Sequence, residues 1–158
     1  MARTPSDHLL LDQQLCFALY SSSLAMTKLY KPVLAPLGLT YPQYLVMLVL
    51  WEVDGAAATR RIGIGALGER LCLDSGTLTP LLKRMQAAGW LTRARADDDE
   101  RRVEVALTPA GRALRRRAAG VPAQVACATG CRLDQIAALT AQLQALRDTV
   151  FGHLALAA

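Results

Sequence analysis

The chain has 158 residues, 53% of them hydrophobic and only 5% aromatic, which suits one domain with extensions and a sizeable core. Eighteen Lys and Arg against thirteen Asp and Glu leave a formal charge of +5, and that excess favours a polyanionic partner, be it DNA, RNA or an anionic surface. No apolar run reaches a membrane span, the start MARTPSDHLLLDQQ lacks the cleavable apolar region of a signal peptide, and no Gly-rich phosphate loop follows a strand. Membrane, secreted and nucleotide-enzyme classes therefore fall away, and a cytoplasmic location is expected.

A long helical pattern carrying QLCFALYSSS and KLYKP stops near Pro36 to Gly38, and Thr40, Tyr41 and Pro42 open a second helix. Cys16 lies on the first pattern with Tyr20 one turn later. Tyr30, Tyr41 and Tyr44 gather at the junction, so all four tyrosines fall within residues 20–44. A thiol on an apolar helix is ordinarily a core residue, and tyrosines at helix ends ordinarily pack with a satisfied hydroxyl. The other reading is a reactive thiol, which needs donors for its thiolate. Phenolic hydroxyls in an apolar pocket supply them, and such a pocket also admits a greasy peroxide.

Cys72, between Leu71 and Leu73, reads as a packed thiol. Asp74 and Ser75 are N-cap residues, after which Leu78, Leu81, Leu82 and Met85 recur at helical spacing until Gly89 ends the helix. Pro80 is expected in the first turn or just inside it. The opposite face carries Ser75, Thr77, Thr79, Lys83, Arg84 and Gln86, a composition suited to entering a major groove N-terminus first. Trp90 to Arg95 and Arg102 to Leu107 read as two strands joined by ADDDER. Arg93, Arg95, Arg101 and Arg102 flank that turn. A ribbon tipped by Arg101 and braced by Asp97, Asp98 and Asp99 can set a guanidinium in a minor groove. A hairpin of this kind alone would also suit a solvated surface; the preceding helix tips the reading to DNA.

Residues 109–128 and 132–156 give two further helical patterns, the first expected to bend or break at Gly120 and Pro122. The second bears Leu133, Ile136, Leu139, Leu143, Leu146 and Val150 at heptad-like spacing, a packing surface. With the N-terminal helix it is expected to form a dimer interface. Cys127 and Cys131 lie one helical turn apart. A metal or other cofactor is not expected there, because His8 and His153, at the chain ends, have no ligand spacing.

LDSGTLTPLLKRM followed by GWLTRARADDDERRVEVALTPAG resembles the recognition helix and wing of the MarR family of transcription regulators. The resemblance implies a mainly α fold with a small β-wing: a winged helix-turn-helix, homodimeric, reading pseudo-palindromic double-stranded operator DNA. It implies a lobe over 41–108 for DNA, with 7–38 and 109–156 as dimerisation helices, all in one chain of 1–158. It gives DNA-facing roles to Ser75, Thr77, Thr79, Lys83, Arg84, Arg95 and the wing-tip Arg101. Residues 52–70, EVDGAAATRRIGIGALGER, are longer than the family pattern where a short strand leads into the next helix; Arg60 and Arg61 there either solvate the loop or touch phosphate.

The N-terminal region is similar to the OhrR branch of that family, sensors of organic hydroperoxides. This implies Cys16 as the sensing thiolate, with Tyr30 and Tyr41 as its hydrogen-bonding partners. VACATGCRLDQ resembles the two-cysteine members, which implies Cys127 of the other subunit as the resolving thiol and Cys131 as an alternative or a bystander. The protein is thus expected to be a non-enzymatic repressor that lets go of DNA when Cys16 is oxidised. Two alternatives are a MarR-type repressor released by a small apolar or phenolic ligand, and a thiol peroxidase, for which no recycling C-x-x-C accompanies Cys16.

Overall fold

The Gln43 side chain reaches back to the start of the central helix. In the computed structural model, which describes residues 9–56, 61–96, 99 and 101–156, the Thr40 backbone N–H donates to Gln43 Oε1 at 2.8 Å while Tyr44 N–H returns to the Thr40 carbonyl. The helix α2, Tyr41–Ala56, buries Tyr44, Val46, Met47, Val49, Leu50 and Trp51, residues spread around much of its circumference, as a core helix must. Before it, α1 spans Leu15–Leu34 and buries only Leu34. A 3-10 turn, Ala35–Leu37, follows and ends at Gly38, whose φ of 71° turns the chain.

Strand β1 (Arg61–Gly63) feeds α3 (Ile64–Leu71), then α4 (Ser75–Ala87), β2 (Leu91–Arg95) and β3 (Val103–Leu107). The sheet order is β1-β3-β2, antiparallel throughout, with Ile62 opposite Val105 and Arg93 opposite Val105 from the other side. Both wing strands start one residue later than the sequence suggests, β2 without Trp90 at the base and β3 without Arg102 at the tip. The long 52–70 stretch resolves into the last turn of α2, β1 and most of α3, with 57–60 and hence Arg60 outside the described residues.

After the wing, α5 (Pro109–Ala118) starts on a Thr108 cap whose Oγ1 accepts the Gly111 N–H and donates to the Gly89 carbonyl at 2.6 Å. Gly111 is required there: a Cβ would sit 2.0 Å from the Trp90 carbonyl oxygen. The Trp51 indole N–H donates to the Gly111 carbonyl at 3.0 Å and Arg112 pairs with Asp54 at 2.8 Å, tying α5 to α2. The expected break at Gly120 and Pro122 is present, so 109–128 is not one helix but α5 and α6 (Val121–Thr129). The last helix, α7, spans Leu133–Leu156 and buries no residue. Residues 1–119 and 120–158 form two compact units.

Two sequence expectations need correction. Pro80 sits in the second turn of α4, where its missing N–H leaves the Gly76 carbonyl without its helical donor. Cys72 is not packed. It is exposed, and its φ of 54° makes it the left-handed C-cap that turns α3 into α4.

Candidate nucleic-acid interface and thiol site

Helix α4 is held at both ends by its own sequence. Asp74 Oδ1 accepts the Thr77 backbone N–H at 2.8 Å and Oδ2 accepts the Thr77 hydroxyl at 2.9 Å. These bonds, led by the backbone one, hold the Asp74 carboxyl below the usual carboxylate range. At the other end Gly89, at φ 78°, donates to the Gln86 carbonyl and Trp90 N–H reaches the Met85 carbonyl, a Schellman closure. Leu78, Leu81, Leu82 and Met85 are buried, so the helix is fixed in rotation. That leaves Ser75, Thr77, Lys83, Arg84 and Gln86 exposed and Thr79 half-buried. Helical spacing sets Ser75, Thr79, Lys83 and Gln86 along one edge of the exposed face and Thr77 and Arg84 along the other, with Gly76 and Pro80 between. The Thr77 hydroxyl proton is committed to the cap, so its oxygen faces outward only as an acceptor.

The wing brings its arginines out on β2 and beyond the β2–β3 turn. Arg93 Nε donates to Gln86 Oε1 at 2.7 Å, a link between wing and recognition helix that the sequence reading did not contain. The two-residue period from buried Leu91 through Arg93 to Arg95 was its available signal. Arg95 lies opposite Val103. Asp99 accepts the Arg101 backbone N–H through Oδ1 at 2.9 Å, so it braces the turn and not the guanidinium; Asp97 and Asp98 lie outside the described residues. Arg61 and Arg102 flank Glu104 at 3.8 and 3.5 Å, which stiffens the root of the wing.

The thiols and phenols lie elsewhere. Cys16 is the second residue of α1 and is exposed, as is Tyr20 one turn on. Tyr30 stacks on Tyr41 with ring centroids 4.5 Å apart and on Tyr44 at 5.9 Å, and Tyr44 meets Trp51 edge-on at 6.3 Å. Burial pushes all three phenols above the ordinary range, with the neighbouring phenols adding to it for Tyr30 and Tyr44. They are protonated donors at neutral pH. Cys16 and Tyr30 share one continuous helix 14 residues apart, about 21 Å along its axis, so a single chain does not bring the expected pair together. Cys127 is exposed near the end of α6. Cys131 is exposed just past the left-handed Gly130, its Sγ donating to the Thr129 carbonyl at 3.7 Å.

A helix-turn-helix backed by a three-stranded antiparallel sheet, with a polar, doubly capped second helix and an arginine-bearing ribbon, defines a winged-helix regulator. The chain belongs to the SarA/Rot family of transcriptional regulators, a MarR-type family, which it matches over residues 28–117. The MarR resemblance read from the sequence is borne out. Over 119 residues the chain is 49% identical to the organic hydroperoxide resistance transcriptional regulator of Bacillus subtilis (strain 168), covering 75% of this chain and 77% of that one. It is 48% identical over 138 residues to the HTH-type transcriptional regulator TtmR of Methylorubrum extorquens (strain PA1), covering 87% and 68%. Among solved structures it is similar to reduced AbfR of Staphylococcus epidermidis bound to DNA, with a TM-score of 0.68, 30% identity and coverage of 94% and 99%. The disulfide-formed structure of AbfR gives 0.56 and 32%, covering 89% and 95%. No single described helix is long and apolar enough to cross a membrane.

Proposed function

We propose that this transcriptional regulator is a homodimeric repressor that grips double-stranded operator DNA in the cytoplasm when reduced and releases it when organic hydroperoxides oxidise Cys16. The 41–108 lobe reads DNA, with Ser75, Thr79, Lys83 and Arg84 toward the major groove, Thr77 beside them as an acceptor, and Arg95 and Arg101 toward the backbone and minor groove. The helices of 7–38 and 109–156 make the dimer.

One observation carries the redox part: Cys16 is exposed at the start of a helix whose protonated phenol cluster, Tyr30 with Tyr41, is about 21 Å away in the same chain. Those donors serve Cys16 only if they come from a second subunit. The exposed apolar residues of α1 and α7, among them Leu15, Leu19, Leu24, Leu139, Leu143 and Val150, supply the surface for such pairing. The names of two relatives point the same way, one a hydroperoxide resistance regulator and one solved in reduced and disulfide forms.

The chemistry balances without a cofactor. The Cys16 thiolate attacks the terminal oxygen of ROOH, the O–O bond breaks, and Cys16 becomes a sulfenic acid as the alkoxide leaves and takes a proton as ROH. The Cys127 thiol of the other subunit then displaces the sulfenic oxygen as water, leaving a Cys16–Cys127 disulfide, with Cys131 as the substitute thiol. The link displaces the helices that carry the winged lobes and spoils half-site spacing. One oxidation throws one switch, so this is a sensor and not a peroxidase that turns over.

The test is a gel-shift titration with reduced and cumene-hydroperoxide-treated protein. Cys16→Ser is expected to bind DNA as tightly as the wild type and to stay bound under peroxide; release by that variant sinks the sensor role. Cys127→Ser is expected to abolish the covalent dimer on non-reducing gels, and its persistence transfers the role to Cys131.

A further inference from the structure

Gln86 ends the exposed line of α4 that begins at Ser75 and passes through Thr79 and Lys83. Its side-chain carbonyl accepts the Nε–H of Arg93, which stands half-buried on β2 on the same side as Leu91. A guanidinium carries five N–H donors, and this bond uses one. No other hydrogen bond or ion pair engages Arg93 among the described residues. The partner also differs from the carboxylates that hold several other arginines, although Arg117 likewise has a neutral partner in the Pro36 carbonyl. Arg70, Arg112 and Arg132 are oriented by Glu52, Asp54 and Asp134, carboxylates that cancel the charge they orient. Gln86 orients Arg93 and leaves its charge whole.

We propose that Arg93 is a phosphate-anchoring residue and Gln86 the group that positions it. The proposal rests on the DNA-binding reading above. A helix in the major groove and a wing in the adjacent minor groove straddle one ridge of sugar-phosphate backbone. A guanidinium tied to the last turn of the helix and rooted in the first wing strand lies over that ridge. Fixing Nε selects the rotamer before DNA arrives and presents the two terminal amino groups as a fork, the geometry that takes a phosphate through two bonds. Lysine would keep the charge but lose the fork and the tie to Gln86.

The experiment uses the reduced full-length protein and a duplex that the wild type selects from a randomised pool, with affinity measured across a KCl series. Arg93→Ala is expected to weaken binding roughly tenfold, the worth of a charge-assisted hydrogen bond, on the selected duplex and on unrelated ones alike. It is also expected to lower the slope of log affinity against log salt by about one, the signature of one lost phosphate contact. Gln86→Ala is expected to weaken binding less, and to add nothing once Arg93 is alanine. Arg93→Lys, the milder change, is expected to keep the salt slope yet be indifferent to Gln86→Ala. Binding by the wild type with an unchanged slope in Arg93→Ala, or independent additive losses from the two positions, overturns this site alone. A wild type that selects no duplex overturns the DNA-binding reading and this site with it.

Discussion

Helices α4 and α7 have similar leucine patterns and opposite fates. The 13 residues of α4 bury four apolar side chains and are closed at both ends, by Asp74 and by the Gly89 turn. The 24 residues of α7 bury none, and Leu139, Leu143, Val150 and Leu154 are exposed. Apolar content therefore does not say where a helix finds its partner. The leucines of α4 meet the core around α2 and α3 of the same chain, so this helix is fixed whether or not anything else is present. Those of α7 stay exposed in the single chain and are available for burial against another molecule, a gain of about 25 cal/mol per Å² before the cost of association is met.

The sharpest way to break this contrast is Leu139→Glu with Leu143→Glu. The pair is expected to turn a dimer into a monomer by sedimentation, and to cost on the order of a hundredfold in DNA affinity as two-site binding becomes one-site. A dimer that persists assigns the interface elsewhere. On the other side of the comparison, Gly111→Ala forces a methyl into the Trp90 carbonyl and is expected to destabilise the winged lobe by about 3 kcal/mol in denaturant melts. Its dimer contacts should be untouched at low denaturant.

A smaller effect is expected at the α4 cap. Because the Asp74 carboxyl is held low, its contribution is fully present above the unfolded carboxylate pKa, about 3.9, and fades as pH falls through the lower folded value. Asp74→Ala should therefore lower the Tm at neutral pH, with the gap to wild type closing as the solution is acidified towards pH 3. A gap that is the same at both pH values rules out the carboxylate as the source. The smallest effect belongs to the tyrosine cluster. Its phenols are raised by burial, so the folded state keeps the stability they give below about pH 10 and loses it as alkali ionises them. Ultraviolet titration should show Tyr30, Tyr41 and Tyr44 ionising above the ordinary phenol range; ionisation within that range contradicts their burial.

What could be read ahead of the structure was whatever depends on neighbours in sequence. The Asp74 cap, the Gly89 stop, the ribbon and the break at Gly120 rest on local backbone rules, and all are present. What escaped depends on contacts between elements. Nothing in LCLD signals that Cys72 adopts a left-handed turn, since that turn exists to pack α3 against α4. Pro80 reads as a first-turn residue only if the helix starts later than Asp74 sets it. The tie from Gln86 to Arg93 spans a helix end and a strand. The tyrosine cluster was legible as a junction, and the single helical pattern over Cys16 and Tyr30 already held the separation that α1, as one unbroken rod, fixes at about 21 Å.

The chain has two tryptophans, Trp51 and Trp90, both within the unit ending at residue 119. With Trp51 sealed against the Gly111 carbonyl and Tyr44 6.3 Å from its ring, light absorbed by the phenols passes to that indole by resonance transfer. Intrinsic emission is accordingly a reporter native to the winged lobe, since α7 carries no tryptophan or tyrosine of its own. Followed beside circular dichroism during peroxide treatment, it distinguishes a lobe that merely swings as a rigid body, its colour unchanged, from one that melts and shifts to the red.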